Sequence, residues 1–252
     1  MNKQSFNIYF DEAGRWPLAG PLYIWLVCKL KKLSKNDLKL FWDSKQFSEN
    51  KRKMLFEDIN NLQKEWKILT TIARVTAAEI DKYWMTNAIH CAILRWMYKI
   101  FNELFKENTY EEILPNPLSI KIKPKISYNN IQDYFLSLKC KWIEVNLFLD
   151  GNSDFWLKKT FPFRNIKTIV SWDAKVKEIW MASIVAKVSR DYIMENMPKK
   201  YTKYNFKKHK WYGTKEHREL IQKYWPCNIH RKLFLKLFFP NHSFKKSLPI
   251  KF

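Results

Sequence analysis

The feature that most constrains this chain is a short apolar segment that ends in two adjacent carboxylates. Residues 6–10 read FNIYF, which is typical of a buried strand with one polar interruption. Asp11 and Glu12 follow directly, and then comes a turn marked by Gly14, Pro17, Gly20 and Pro21. Acids at the end of a strand lie where a sheet stops and a cleft can begin. Because burying either charge alone is costly, a cation is the natural partner, although a solvated acidic turn has the same pattern.

The charge balance points to a polyanionic partner. The chain of 252 residues has 46 Lys and Arg against 24 Asp and Glu, a formal net charge of +22. Nucleic acid is the first candidate for such a surface, although lysine-rich codon usage in an AT-rich genome accounts for part of the excess. No apolar run reaches the roughly 18 residues that a membrane span needs, and the N-terminus lacks a signal-peptide pattern. We therefore expect a cytoplasmic protein without a membrane segment.

The cysteine spacing argues against a zinc site and against disulfides. Cys28, Cys91, Cys140 and Cys227 are far apart and form no C-x-x-C pair. This spacing argues against a structural zinc site and against a disulfide framework, and it suits a reducing compartment.

Two more acids follow predicted strands. Residues 142–149 predict a strand that ends at Asp150, and residues 167–170 predict a short strand that precedes Asp173. A helix is predicted from residue 173 or 175 to about residue 197. Carboxylate oxygens favour hard cations such as Mg²⁺ or Mn²⁺, and two such ions about 4 Å apart can serve both ends of an in-line phosphodiester hydrolysis.

Five sequence blocks, in order, resemble the ribonuclease HII family, the type 2 ribonuclease H of bacteria. They are DEAGRWPLAGP at 11–21, DSK at 43–45, FLDGN at 148–152, DAK at 173–175 leading to MASIVAKVSRD, and YGTK at 212–215 with His230-Arg231. Together they cover about residues 6–234.

The resemblance implies a fold and a domain organisation. We expect an α/β, ribonuclease H-like fold, in which helices flank a central mixed sheet and a C-terminal helical part closes the substrate groove. The catalytic domain would span residues 1–234, with a surface insertion at 107–140, the helical part from about residue 199 and a basic tail at 235–252. We expect a monomer.

The resemblance also implies an activity, namely endonucleolytic hydrolysis of RNA in RNA–DNA hybrids and 5′ to single ribonucleotides in duplex DNA, as in ribonucleotide excision. The products would carry 5′-phosphate and 3′-hydroxyl ends. Two divalent ions, Mn²⁺ or Mg²⁺, would be held by Asp11, Glu12, Asp150 and Asp173. The ribose 2′-hydroxyl separates RNA from DNA. The substrate-binding positions carried over from the family are Gly14, Arg15, Trp16, Lys45 and Tyr212.

Two other functions use the same features. One is a non-catalytic, basic nucleic-acid-binding protein on the same fold, and the presence of all four acids argues against it. The other is a different two-metal nuclease of the same superfamily, and the Gly14-Arg15 and YGTK blocks argue against that.

The glycine and tryptophan counts are abnormal. The chain has 4 Gly and 12 Trp, whereas globular proteins average about 7% Gly. The family pattern has glycine where this chain has Trp16, Trp172 and Trp211, and often where it has Trp225. A bulky residue reaches φ > 0 only with strain, which glycine avoids. We therefore hypothesise that these positions are UGA codons, which the source organism translates as glycine and which have been decoded as tryptophan in this sequence. The alternatives are a genuine Trp-rich binding surface and an enzyme impaired by these tryptophans.

Remaining patterns predict local structure. We expect strands at 22–30 and 66–75, a helix capped by Ser48, a long helix opened by the capping box Thr76–Glu79 and a helix over 214–224. Residues 31–39 are predicted to be a basic connection. Residues 199–210 carry six lysines with interleaved aromatics, a pattern that favours a nucleic-acid contact surface or a solvated basic loop.

Overall fold

Five strands rich in apolar residues build a sheet at the centre of the molecule. The structure is a computed structural model and describes residues 4–39, 47–104, 143–160, 165–169 and 176–240. The strands are β1 (Gln4–Ala13), β2 (Leu22–Lys29), β3 (Ile68–Val75), β4 (Ile143–Asp150) and β5 (Asn165–Ile169). Strand β2 is buried on both faces, whereas β4 is buried at every second residue. Their order is β3-β2-β1-β4-β5; β2 pairs antiparallel with β1 and β3, whereas β4 pairs parallel with β1 and β5. The predicted mixed sheet is therefore confirmed.

Helices cover both faces of the sheet. They are α1 (Lys35–Lys39), α2 (Glu49–Lys64), α3 (Ala77–Leu104), α4 (Leu157–Thr160), α5 (Lys177–Glu195), α6 (Phe206–His209), α7 (Lys215–Tyr224) and α8 (Lys232–Phe238), with a 3-10 helix at Lys199–Tyr204. One apolar core joins the sheet to α3, and a second joins the opposite face to α2 and α5. The described helices include none long and apolar enough to cross a membrane.

The predicted helix caps are present. The Ser48 hydroxyl accepts from the Lys51 amide (3.3 Å) at the start of α2. At the start of α3, the Thr76 hydroxyl accepts from the Glu79 amide (3.2 Å), and the Glu79 carboxylate accepts from the Thr76 amide (2.9 Å). This reciprocal pairing is the capping box that the sequence predicts.

Three local predictions are wrong. Strand β1 does not end at residue 10 but continues through both acids to Ala13, because β2 pairs with it as far as Ala13 opposite Tyr23. Residues 35–39, predicted as connection, form helix α1. The aromatics of 199–210 do not lie on a contact surface: Tyr201, Tyr204 and Phe206 are buried, while the lysines between them are exposed.

The C-terminal segment, residues 199–240, packs on the turn at residues 14–21 that follows β1. The Leu18 amide donates to the Trp211 carbonyl (2.9 Å), the Gly20 amide donates to the Ile229 carbonyl (2.8 Å), and Ala19 forms a β-bridge with His230. Helix α8 takes in residues 235–238, which the sequence analysis assigns to the basic tail. Several predicted features lie outside the described residues, namely the insertion at 107–140, residues 241–252, Lys45, Trp172 and Asp173.

Candidate active site

Two of the predicted acids lie side by side at one edge of the sheet. Strands β1 and β4 run parallel, and their last register pair is Phe10 opposite Leu149. Asp11 and Asp150 are the next residues on the two strands, and neighbouring strands lie about 4.8 Å apart. Every second residue of β4 is less buried, and Asp150 belongs to that set. The edge where β4 ends therefore presents a pair of carboxylates.

The electrostatics of this edge are unfavourable without a cation. Burial and the neighbouring Glu12 raise the pKa of Asp11 to about 8; Asp150 adds to the rise, and a hydrogen bond with Ser183 on α5 opposes it. Burial and Asp150 also raise the pKa of Glu12, whereas the Arg15 guanidinium lowers it. Glu12 and Asp150 thus both disfavour the charged form of Asp11, and Asp150 also disfavours that of Glu12.

The donor chemistry of this edge suits a divalent cation. Carboxylates are the ligands that Mg²⁺ and Mn²⁺ prefer, and a cation would relieve the repulsion that raises these pKa values. Within the described ranges, however, no three His, Cys, Asp or Glu side chains converge closely enough to hold a metal ion. Asp173 lies outside those ranges, so the four-carboxylate site stays a prediction.

The turn after β1 holds the predicted recognition residues. Gly14 is buried with φ +92°, a conformation that L side chains rarely adopt, and a Cβ there would lie 3.2 Å from the Pro21 carbonyl oxygen. The Arg15 guanidinium lies 3.5 Å from a Glu12 carboxylate oxygen and also lies over the Phe155 ring (5.4 Å to the centroid). Arg15 therefore links the acid edge to the turn.

Trp16 differs from what the sequence predicts. Its φ is not positive, so the expectation of backbone strain at this position is wrong. The indole is 71% exposed and lies 5.5 Å from the Arg15 guanidinium. The side chain consequently faces solvent beside the acid edge, where its bulk rather than its backbone is what could affect a bound ligand.

Tyr212 is held from beneath by a buried arginine. The Arg190 guanidinium lies 5.4 Å from the Tyr212 ring centroid, and its Nη2 donates to the Lys210 carbonyl (2.7 Å). The Tyr212 amide donates to the His209 carbonyl (2.9 Å), and its carbonyl accepts from His217 Nδ1 (2.8 Å). The ring remains 43% exposed, as a stacking residue requires.

Sequence reasoning missed three residues that support the site. Ser183 reads as a small packing residue, yet it hydrogen-bonds Asp11. Arg190 and Arg231 are buried behind the turn. Both arginines belong to sequence blocks that resemble the ribonuclease HII family. A charged residue inside a mostly apolar or turn-forming block could have indicated a buried, functional arginine.

The chain is similar to known proteins over most of its length. The profile of the Ribonuclease HII family matches residues 8–103 and 98–241. The chain is 35% identical over 224 residues to the ribonuclease HII of Campylobacter hominis, covering 89% of this chain and 91% of that protein. It is also 35% identical over 226 residues to the ribonuclease HII of Caldicellulosiruptor bescii, covering 90% and 84%.

A solved structure matches the fold. The crystal structure of ribonuclease H2 from Pyrococcus horikoshii superposes with a TM-score of 0.57 at 20% identity, over 94% of this chain and all of that one. A mixed sheet with acids at one edge and a helical C-terminal part thus places the protein in the ribonuclease H-like class. Within that class, the chain belongs to the ribonuclease HII family, whose members are ribonuclease H enzymes.

Proposed function

We propose that this enzyme cleaves the RNA strand of RNA–DNA hybrids and cuts duplex DNA on the 5′ side of a single embedded ribonucleotide. The products carry 5′-phosphate and 3′-hydroxyl ends. The observation that carries the proposal is the juxtaposition of Asp11 and Asp150 at one sheet edge with the Gly14–Trp16 turn, joined to it through Arg15.

The proposed chemistry assigns a role to each group at the edge. Asp11, Glu12 and Asp150, together with Asp173 on the strength of the family resemblance, would hold two divalent cations. Such ions lower the pKa of a nucleophilic water and stabilise the leaving oxygen of a phosphodiester. Ser183 orients the Asp11 carboxylate through its hydrogen bond. Arg15 neutralises Glu12 and adds positive charge where a phosphate would approach.

Substrate choice in this proposal rests on the turn and on Tyr212. The 2′-hydroxyl is the one group by which a protein distinguishes RNA from DNA at a given site. Main-chain groups of residues 14–16 would meet it, and the exposed Tyr212 ring would stack at the RNA–DNA junction. Lys45, outside the described residues, is assigned to the substrate backbone by resemblance alone.

The test uses three labelled substrates: an RNA–DNA hybrid, a DNA duplex with one ribonucleotide, and an all-DNA duplex. The wild-type protein should cleave the first two in Mg²⁺ or Mn²⁺, leave the third intact and produce 5′-phosphate ends. Asp150→Asn should lower the cleavage rate at least about 1,000-fold, because stabilisation of the transition-state charge by bound metal ions is worth several kcal/mol. Hybrid affinity should change little, because it comes mostly from phosphate contacts.

Glu144→Gln is the matched control for Asp150→Asn. Glu144 lies on the same face of β4, near its other end, where it accepts a hydrogen bond from Asn165 Nδ2 (2.7 Å). This variant should cleave like the wild type. Full activity in Asp150→Asn would refute the assignment of the site, whereas tight hybrid binding without metal-dependent cleavage by the wild type would favour a non-catalytic binding protein.

A further inference from the structure

Arg231 is a fully buried arginine whose guanidinium bonds to the turn from behind. Its side chain is 0% exposed. Nη2 donates to the Gly14 carbonyl (2.6 Å), Nη1 to the Arg15 carbonyl (2.9 Å) and Nε to the Gly20 carbonyl (2.9 Å). The Arg231 amide donates to the Leu18 carbonyl (2.8 Å). One residue of the C-terminal segment therefore contacts both ends of the turn and its middle.

This arrangement is costly enough to need a reason. Burying a charge is unfavourable unless good geometry and full hydrogen bonding compensate, and all three acceptors here are neutral carbonyls. Burial and the neighbouring Arg190 lower the pKa of Arg231 to about 9. The planar guanidinium has five donors in a fixed fork, so it can hold several acceptors in one relative orientation.

The start of α8 anchors Arg231 in turn. Asp81 on α3 accepts from the amides of Lys232 and Leu233 at 3.0 Å each. The guanidinium also lies 5.5 Å from the Phe234 ring centroid. Arg231 is thus fixed to the helix that covers one face of the sheet before it reaches the turn.

The bonded carbonyls determine where the adjacent amides point. The Gly14 carbonyl shares a peptide plane with the Arg15 amide, and the Arg15 carbonyl shares one with the Trp16 amide. In a planar trans peptide the C=O and N–H point in opposite directions. Because Arg231 holds both carbonyls inward, the amides of Arg15 and Trp16 point outward. Within the described part of the chain, no backbone hydrogen bond uses either amide.

We propose that Arg231 is a positioning residue that aims the Arg15 and Trp16 amides at the ribose, and so controls cleavage without contacting the substrate. This inference rests on the proposed function. A displacement of about 1 Å in a positioned group can cost about 100-fold in rate, so release of the turn should be visible mainly in kcat.

The test compares Arg231→Gln, Arg231→Lys and Arg95→Gln in the full chain. Arg95 forms a half-buried ion pair with Glu79 (2.7 Å) far along the chain from the turn, so its loss destabilises the fold without touching the turn. On the single-ribonucleotide duplex, Arg231→Gln should lose about 100-fold in kcat with KM within about threefold. Arg231→Lys, which can bond one carbonyl or two, should lose about tenfold. Arg95→Gln should stay near the wild-type kcat.

Amide exchange supplies a readout independent of activity. Hydrogen–deuterium exchange of residues 14–21 should accelerate at least about tenfold in both Arg231 variants, and not in Arg95→Gln. Unchanged exchange there, or an equal kcat loss in Arg95→Gln at matched thermal stability, would overturn the proposal. If Arg231→Gln does not fold, Arg231→Lys decides alone. A wild type that cleaves no ribonucleotide substrate refutes the proposed function, while the exchange result still tests whether Arg231 holds the turn.

A separate observation concerns the backbone at the tryptophans. Of the eight non-glycine residues with positive φ in the described part of the chain, five are Trp: Trp66 (58°), Trp84 (66°), Trp156 (66°), Trp211 (67°) and Trp225 (60°). Trp84 and Trp225 combine this φ with ψ of 157° and 158°. That region is essentially accessible to glycine alone, and Trp84 even interrupts helix α3 there.

The buried indoles are anomalous in a different way. Trp25, Trp96, Trp180 and Trp211 bury Nε1 without a hydrogen-bond partner, although a buried Trp N–H usually finds one. The Trp211 ring also occupies the space in front of Gly20, where a Cβ would lie 2.4 Å from a ring carbon. Of the nine described tryptophans, only Trp16 shows neither a positive φ nor an unpaired buried N–H.

We infer that positions 66, 84, 156, 211 and 225 are glycine in the protein made by its own cell, which translates UGA as glycine. The gene should carry UGA at all five codons, and tandem mass spectrometry of the native protein should find glycine in the matching peptides. UGG at these codons, or tryptophan in the native peptides, would overturn the inference. In the purified protein, Trp84→Gly should raise the unfolding temperature more than Trp84→Ala, because alanine keeps the Cβ that conflicts with this backbone.

Discussion

The acid edge (Asp11, Glu12 and Asp150) and the turn at residues 14–21 lie next to each other but are built in opposite ways. At the acid edge, Asp11 and Asp150 extend from two paired strands, and the parallel register alone places them together. At the turn, residues 14–20 are held by groups that come from more than 190 positions further along, with the Arg231 guanidinium bonding three of their carbonyls. The carboxylates of the edge repel one another, whereas four carbonyls of the turn accept hydrogen bonds from the side chain or the amide of Arg231.

The two regions therefore depend on different parts of the molecule. The sheet brings carboxylates together and raises the pKa values of Asp11 and Glu12, and a cation would counter this by stabilising the charged carboxylates. The turn instead depends on the C-terminal segment, so damage to that segment should harm recognition before it harms the sheet.

The largest effect is expected at the acid edge. Because the pKa of Asp11 is raised to about 8 in the folded protein, its carboxylate must take up a proton on folding at neutral pH; Asn has no such cost, so Asp11→Asn should raise the unfolding temperature in metal-free buffer. The same change should lower the cleavage rate at least about 1,000-fold, equivalent to about 4 kcal/mol of transition-state stabilisation. Calorimetry with chelator and a hybrid-cleavage assay measure the two effects. A variant that is both less stable and fully active would contradict the contrast.

The second prediction concerns Gly20 in the turn. Gly20→Ala should cost about 2–4 kcal/mol of unfolding free energy, because φ is +81° and the new Cβ meets the Trp211 ring. Gly151→Ala is the matched control, since Gly151 has φ +94° but nothing within 4 Å of the added Cβ. It should cost only about 1–2 kcal/mol. In a Trp211→Gly background the two alanine variants should cost the same; a persistent difference in urea unfolding would show that the ring is not the cause.

The third prediction concerns Trp16 beside the acid edge. If the turn meets the ribose as proposed, the exposed indole would obstruct it, so Trp16→Gly should raise cleavage at a single embedded ribonucleotide by tenfold or more, about 1.4 kcal/mol. Trp225→Gly is the control, because Trp225 is also exposed but lies in the C-terminal segment. Rates on the same duplex in Mg²⁺ and in Mn²⁺ make the comparison. Equal rates for wild type and Trp16→Gly would show that position 16 does not obstruct the sugar.

The C-terminal segment should also make stability depend on pH. Burial lowers the pKa of His217 to about 4 and that of His230 to about 3, and their Nε2 atoms lie 3.2 Å apart. The folded state therefore binds fewer protons than the unfolded state between about pH 6.5 and these values, so stability falls as the pH falls through this window. Each histidine should lower the free energy of unfolding by about 1 kcal/mol for each pH unit below 6.5.

Urea unfolding at pH 7.5 and 5.5 measures this slope. His217→Asn should reduce it, since one of the two titrating groups is gone while an amide can still donate to the Tyr212 carbonyl. An unchanged slope would mean that other groups cause the acid sensitivity.

The sequence by itself determined the elements and the chemistry of the edge. Runs of apolar, aromatic and β-branched residues predicted the strands, Ser48 and the Thr76–Glu79 capping box predicted two helix starts, and the strand that ends at Asp150 was predicted correctly. These signals are local, because strand pleat, helix caps and hard-cation ligands depend on neighbouring residues or on residue type.

Tertiary structure decided what local patterns could not express. The aromatics among the lysines of 199–210 became a core because the C-terminal segment folds over the turn, which no periodicity within that segment indicates. Strand β1 continued past the acids because β2 supplied hydrogen-bond partners for them. The role of Arg231 depends on carbonyls more than 200 residues away, and a contact at that separation leaves no trace in the spacing of either segment.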